Sequence, residues 1–159
     1  MGFNVLDAGA FYAGVPFRSR DTYCTTSLVY DEIRHIKKNH DALGILLETD
    51  RLRILEPEDI SVKKAKAAAK ASGDFQQMSI QDISVIALAI HVNGKIISDD
   101  YAIANVAGNL GISVLPVMTL GIKDVGRWLH YCPGCGAKQD AGNECNICGT
   151  PLKRKLLKE

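Results

Sequence analysis

Four cysteines near the C-terminus are spaced for metal chemistry. Cys132-Pro-Gly-Cys135-Gly and Cys145-Asn-Ile-Cys148-Gly repeat one pattern, with nine residues between the pairs. Each C-x-x-C turn points two sulfurs the same way, and the glycines allow the tight backbone, so two turns can close on one tetrahedral ion. Four thiolates suit a single structural Zn²⁺, at roughly 2.3 Å and with no open coordination position. A module of about 25 residues cannot bury a sufficient core, so metal binding would supply much of its folding energy. Two disulfides, reduced spare thiols or an iron centre of the rubredoxin kind are the other chemistries open to this set. The fifth cysteine, Cys24, lies in an apolar strand-like stretch and reads as core.

A second group of residues suggests hard-cation chemistry. Asp7 ends the apolar run Phe3–Leu6, Glu32 lies on a helix, Asp82 opens another helix, and Asp99-Asp100 sit between a strand and the next helix. Ligands of open α/β sheets bind beyond the carboxyl ends of the strands, where three of these positions would gather. Clustered carboxylates repel unless a divalent cation neutralises them, and Mg²⁺ or Mn²⁺ prefers oxygen ligands. Such an ion can activate water and polarise a phosphoryl oxygen. Each acid also has a plainer reading. Asp82 can complete a capping box with Ser79, Asp99 or Asp100 can cap a helix, and Glu32 can pair with His35 or Lys37 on a solvated face. Asp7 has no capping role in view from the sequence. The four histidines, at 35, 40, 91 and 130, are scattered, which argues against a pair of catalytic imidazoles.

These residues need elements to hold them. Phe3–Leu6 reads as a buried strand, and 26–38 as a helix with Leu28, Val29, Ile33 and Ile36 on one side, capped by Thr26 or Ser27 and closed by Lys37 and Lys38. Further helices are expected at Asp41–Leu47, Ser61–Ser72, Ile83–Val92 and Tyr101–Leu110, with strands at Arg51–Leu55, Lys95–Ser98 and Ile112–Leu115. Short buried strands alternating with helices indicate an open parallel α/β sheet.

Composition sets bounds on this reading. The 159 residues are 47% apolar and 23% charged, normal for a globular chain. No apolar run reaches the roughly 18–20 residues of a membrane span, and the start MGFNVLDAGAF lacks a basic n-region, so a cytoplasmic location without membrane partners is expected. Residues 1–126 carry 13 Lys and Arg against 15 Asp and Glu, and residues 127–159 carry 6 against 3. Neither part is a basic slab, so any grip on RNA must be a local patch. Apolar spacing fades near Thr119, which divides the chain into 1–120, a linker at 121–127, the cysteine module at 128–152 and a basic tail at 153–159.

VLDAGAF at 5–11, the helix with Glu32, SIQDISVIALA at 79–89 and KIISDDYAI at 95–103 resemble, in order, the motifs of PIN nucleases. The resemblance covers about residues 3–118. It implies a PIN-like parallel sheet flanked by helices, with Asp7, Glu32 and Asp82 as the first three acids and Ser98 and Asp100 at the later hydroxyl and acid positions. Asp99 is adjacent and competes with Asp100 for the fourth ligand. With the cysteine module following, the chain resembles the archaeal form of the Nin-one-binding-protein family, PIN nucleases with a C-terminal zinc ribbon. That resemblance implies a divalent-metal-dependent endoribonuclease, with Asp7, Asp82 and Asp100 holding Mg²⁺ or Mn²⁺. It also implies cleavage of precursor small-subunit rRNA at its 3′ end, on a pre-ribosomal particle and beside ribosome-assembly proteins.

Single-stranded RNA is gripped by basic side chains and flat stacking surfaces. Arg127, Trp128, Tyr131, Lys138, Lys153, Arg154 and Lys155 offer both around the ribbon. Against this, Trp128 and Tyr131 can instead pack the linker on the nuclease domain, and the tail lysines can simply be solvated. Two other functions compete: a PIN toxin, which usually lacks a ribbon, and a non-catalytic RNA-binding assembly factor, which normally has eroded acids. A haloacid-dehalogenase-type phosphatase is excluded because it needs an acid at position 9, which is Gly. Dinucleotide binding lacks its glycine signature after the first strand.

Overall fold

The central sheet of the computed structural model, which describes residues 2–34, 40–117, 126–139 and 142–158, is built from five short parallel strands. These are β1 (Asn4–Leu6), β2 (Tyr23–Thr25), β3 (Leu52–Ile54), β4 (Lys95–Ile97) and β5 (Val114–Leu115), in the spatial order β3-β2-β1-β4-β5. Val5, Leu6, Cys24, Leu52 and Ile96 are buried, as apolar strands covered by helices must be. Cys24 is therefore a core residue, and burial pushes its thiol up to about 11. The chain runs outward from β1 to β3 and then returns to β4 on the other side of β1. This reversal opens a crevice past the ends of β1 and β4.

Among the described residues, seven helices flank the sheet: α1 (Ala8–Tyr12), α2 (Val15–Arg18), α3 (Ser27–Ile33), α4 (His40–Glu48), α5 (Asp59–Ser72), α6 (Ile80–Val92) and α7 (Tyr101–Asn109). Helix α6 is buried from Ile83 to Ala89 and forms the middle of the core. Its capping box is made as its spacing indicates: Ser79 Oγ accepts from Asp82 N–H at 3.1 Å, and an Asp82 oxygen accepts from Ser79 N–H at 3.0 Å. Thr26 caps α3, accepting from Val29 N–H, and its hydroxyl shares a 2.8 Å hydrogen bond with that of Ser84 on α6. That buried pair fixes the helix carrying Glu32 against the helix carrying Asp82. The expected helix end at Lys37-Lys38, the His35 partner of Glu32 and residues 121–125 of the expected linker lie outside the described residues.

A second, antiparallel sheet follows in the order β7-β6-β8, from β6 (Gly126–Tyr131), β7 (Lys138–Gln139) and β8 (Lys153–Lys158). Residues 153–158, expected as a tail, pair along all of β6, from Tyr131 opposite Lys153 to Gly126 opposite Lys158. The alternation of Lys-Arg-Lys with Leu156-Leu157 hid a strand behind a basic composition. The same pairing brings the end of the expected linker, Gly126 and Arg127, into β6.

The two sheets are joined by a polar seam. Asn105 of α7 pairs its side-chain amide with Gly126, donating to the carbonyl and accepting from the N–H, both at 2.8 Å. Asn109 adds a third bond to the same carbonyl at 2.9 Å. Asp74 is buried beside them, accepting from Ser72 and Asn105 at 2.7 Å each and from the Trp128 side chain. Gly73 closes α5 at φ +83° with its α-carbon against β6, and a Cβ there would lie 2.6 Å from the Trp128 carbonyl oxygen.

Gly73→Ala therefore meets both a left-handed backbone and a backbone collision, and is expected to cost ~2 kcal/mol or more, lowering Tm by roughly 4–8 °C. Gly44→Ala, in the interior of α4 where a Cβ meets nothing within 4 Å, is expected to raise stability by ~0.5–1 kcal/mol. Calorimetry of both variants checks the contrast, and equal melting temperatures would show that the seam does not constrain Gly73.

Candidate active site

Asp7, at the tip of β1, is set by strand register. Leu6 lies opposite Ile97, so the next residues, Asp7 and Ser98, emerge together, and the Ser98 hydroxyl donates to Asp7 Oδ2. The same hydroxyl accepts from Asp100 N–H at 3.0 Å. Ser98 thus links Asp7 to Asp100. Asp7 does have a capping role that its sequence context hid: its Oδ1 accepts from Ala10 N–H at 2.8 Å and begins α1. That helix of five residues has too few apolar positions to show a helical period.

The other acids are placed by helix starts and loop closure. Asp82 is held in the α6 capping box, and Asp100 caps α7, accepting from Ile103 N–H at 3.0 Å. Asp99 accepts from Val117 N–H at 2.7 Å and so ties the loop after β4 to the chain beyond β5. All five acids, Asp7, Glu32, Asp82, Asp99 and Asp100, line one open cavity of about 580 Å³. Their mutual effect is visible in their proton affinities. The Asp7 carboxyl is held above its ordinary value, first by burial and then by the charges of Asp100 and Asp82, against the pull of Ser98 and the Ala10 N–H. Asp82 is raised in the same way, by burial and by Asp100, against its bonds to Ser79. An oxygen-rich and partly desolvated set of carboxylates that raise one another's proton affinity suits a hard divalent cation, which would offset the repulsion.

The cysteines form a separate site. Cys132 and Cys148 sulfurs lie 3.4 Å apart, those of Cys135 and Cys145 lie 3.6 Å apart, and all four fall within 4.8 Å of one another. These separations exceed the ~2.05 Å of a disulfide and match the edges of a tetrahedron around one ion. The two turns are near-copies. Gly136 N–H donates to the Cys132 carbonyl and Gly149 N–H to the Cys145 carbonyl, each at 2.9 Å, and both glycines sit at positive φ, 77° and 76°. Cys135 N–H lies 3.4 Å from Cys132 sulfur, and Ile147 N–H lies 3.4 Å from Cys145 sulfur. The Cys135 N–H draws the Cys132 thiol down to about 6, and N–H groups of Cys148 and Ile147 lower Cys145, so both favour the thiolate a metal needs. The cluster could hold one metal ion in a ribbon of the zinc type.

Residues 5–92 match the family described as the PIN domain of ribonuclease. Endoribonuclease Nob1 of Methanothermobacter thermautotrophicus is 38% identical over 158 residues, covering 95% of this chain and 91% of its own length. Endoribonuclease Nob1 of Pyrococcus abyssi is 32% identical over 152 residues, covering 94% and 91%. That of Methanocaldococcus jannaschii is 35% identical over 162 residues, covering 99% and 80%. The likeness therefore spans both the nuclease fold and the cysteine ribbon. The chain belongs to the Nob1 endoribonuclease family.

For a Nob1-family nuclease, the basic and aromatic residues of the ribbon divide into two groups. Arg127, Lys138, Lys153, Arg154 and Lys155 are exposed, and Tyr131 is half-buried. Trp128 is committed to the seam, bonded to Asp74 and with the Arg154 guanidinium 4.3 Å from its ring centre. The cavity lining also includes two polar side chains with no sequence signal of their own, Tyr12 at the end of α1 and Gln81 beside Asp82. Gln81 is marked only by its neighbour Asp82, and Tyr12 only by the short helix that Asp7 caps.

Because the folded-state pKa of Asp7 lies above its unfolded value, its ionised form weakens the fold at neutral pH, and the loss is relieved as pH falls through the folded value. Asn keeps the cap and removes the charge. Asp7→Asn is therefore expected to raise Tm by about 2–4 °C in cation-free buffer, on the order of 1 kcal/mol for a chain of this size. Thermal melts with and without Mn²⁺ check this; a lower Tm for the variant without cation would contradict the repulsion.

Proposed function

We propose that this protein is a divalent-metal-dependent endoribonuclease that hydrolyses one phosphodiester of precursor small-subunit rRNA, acting in the cytoplasm on a pre-ribosomal particle. The observation that carries the reading is the convergence of five acids on one cavity past β1 and β4, in a chain similar to endoribonucleases over nearly its full length. Asp7, Asp82 and Asp100 are the proposed ligands of Mg²⁺ or Mn²⁺, with Glu32 and Asp99 in support. Such a cation would polarise the phosphoryl oxygen and lower the pKa of water. Ser98 fixes the Asp7 carboxylate and, through Asp100 N–H, the loop that presents the fourth acid. The bonds at the helix starts hold the carboxylates of Asp7, Asp82 and Asp100 in place, so they need not reorganise when the phosphodiester arrives. The expected products carry a 5′-phosphate and a 3′-hydroxyl.

Cys132, Cys135, Cys145 and Cys148 are the proposed ligands of one structural Zn²⁺, which leaves no position open for chemistry. Exposed Arg127, Lys138, Lys153 and Lys155 and the half-buried Tyr131 are proposed to contact RNA, with Trp128 and Arg154 supporting that face from the seam.

An rRNA fragment spanning the mature 3′ end, incubated with Mn²⁺ or EDTA, is expected to be cut at one position only with the metal. Asp82→Asn is expected to lower the rate at least about 100-fold, the scale of losing one electrostatic stabiliser. Tight binding without cleavage would favour a non-catalytic assembly factor, and 2′,3′-cyclic phosphate ends would refute the metal-water scheme. Elemental analysis is expected to return one Zn per chain, and iron or none would overturn that assignment.

A further inference from the structure

A second cavity, of about 500 Å³, lies between the nuclease fold and the ribbon. Lys70, Phe75 and Gln76 form its nuclease side, from the end of α5 and the 3-10 turn Phe75–Gln77, while Arg127, Trp128 and His130 of β6 form the other. Its described lining residues include Lys70 and Arg127 and no Asp or Glu, whereas five acids line the other cavity. Phe75 is 36% exposed with the Lys70 ammonium 4.9 Å from its ring centre, leaving a cation-backed aromatic surface open to solvent. His130 is 7% exposed, and its Nδ1 has no hydrogen-bond partner among the described residues. Cations for a phosphate, an aromatic surface for stacking and an unanswered polar atom form the recognition set of a nucleotide.

The position of this cleft relative to the acids sets the ligand class. Gln76 lines the cleft and Ser79 lines the acid cavity, three residues further along the chain. Their Cα atoms are therefore at most ~11 Å apart, so one short segment walls both cavities. A few nucleotides of single-stranded RNA would bridge them, whereas a duplex would keep its bases stacked and unavailable to Phe75.

Building on the nuclease reading, we propose that the cleft is an RNA subsite that takes one unstacked nucleotide of the substrate strand, a few nucleotides from the scissile phosphate. The base stacks at Phe75, and the phosphate lies between Lys70 and Arg127. The ribbon and the nuclease fold thus share one nucleotide, and the seam holds the two halves of its site together.

Trp128, the chain's single tryptophan, lines the cleft and reports on it. The test titrates a short single-stranded oligoribonucleotide into the full zinc-loaded chain carrying Asp82→Asn, following Trp128 emission. Binding is expected to change the emission, and Phe75→Ala and Lys70→Glu are each expected to raise Kd about tenfold or more. Phe75→Tyr should stay near the parent value, as should Lys64→Glu, an exposed α5 charge outside the cleft. Unchanged zinc content and Tm confirm that the variants fold. Unaltered Kd in both cleft variants, or binding without any change in emission, overturns the subsite. The two readings fail separately. Emission and affinity effects without cleavage by the unmodified chain would leave the subsite standing and remove the nuclease. Asp82-dependent cleavage with KM unmoved by Phe75→Ala would do the reverse.

Discussion

Three acids of the cavity are held where their charges oppose one another by bonds at the starts of helices. Asp7 and Asp100 cap α1 and α7, and Asp82 completes the Ser79 capping box of α6, so three helix starts meet past the ends of β1 and β4. Each cap satisfies an N–H that would otherwise lack a partner, a contribution on the order of 1 kcal/mol. The partial positive charge at a helix start further favours a carboxylate. Those gains keep the carboxylates in place against the burial and mutual charge that raise Asp7 and Asp82. Without the caps, the simplest relief would be for the side chains to swing into solvent.

Capping and metal binding are alternative sequence readings of Asp82 and Asp100, and a capping bond to one oxygen does not by itself exclude the other chemistry. A capping carboxylate uses one oxygen for its N–H and keeps a second for another partner. In Asp7 both are engaged: Oδ1 takes Ala10 N–H and Oδ2 takes the Ser98 hydroxyl on the β4 side. Asp99 is placed differently, since its bond to Val117 N–H joins two strand ends rather than starting a helix. It therefore shapes the cavity through the loop, while Asp100 begins the helix beside it.

The seam does for the ribbon what the caps do for the acids. A buried carboxylate is costly unless its oxygens are satisfied. Asp74 is raised by burial, yet Ser72, Asn105 and Trp128 donate to it and the Arg154 charge favours it. Asn105 copies a strand edge against Gly126, and Gly73 removes the side chain that would hold β6 away. The ribbon is thus fixed by directional bonds as well as by apolar contact, which suits a module too small to bury much surface of its own.

The sequence by itself determined what depends on neighbours in the chain. The cysteine turns, the Ser79–Asp82 capping box and most element positions are set by spacings of a few residues and could be read directly. Only the tertiary structure decided what depends on distant partners. The β1–β4 register brings Asp7 to Ser98, and the Thr26–Ser84 contact sets the helix of Glu32 against that of Asp82. Pairing with β6 turned a basic tail into β8, and Asp74, 54 positions before Trp128, took its indole. The cleft of Lys70, Phe75 and Arg127 arises from the same docking. Its residues are ordinary in their local context, because no period or motif marks a side chain whose partner lies on another sheet.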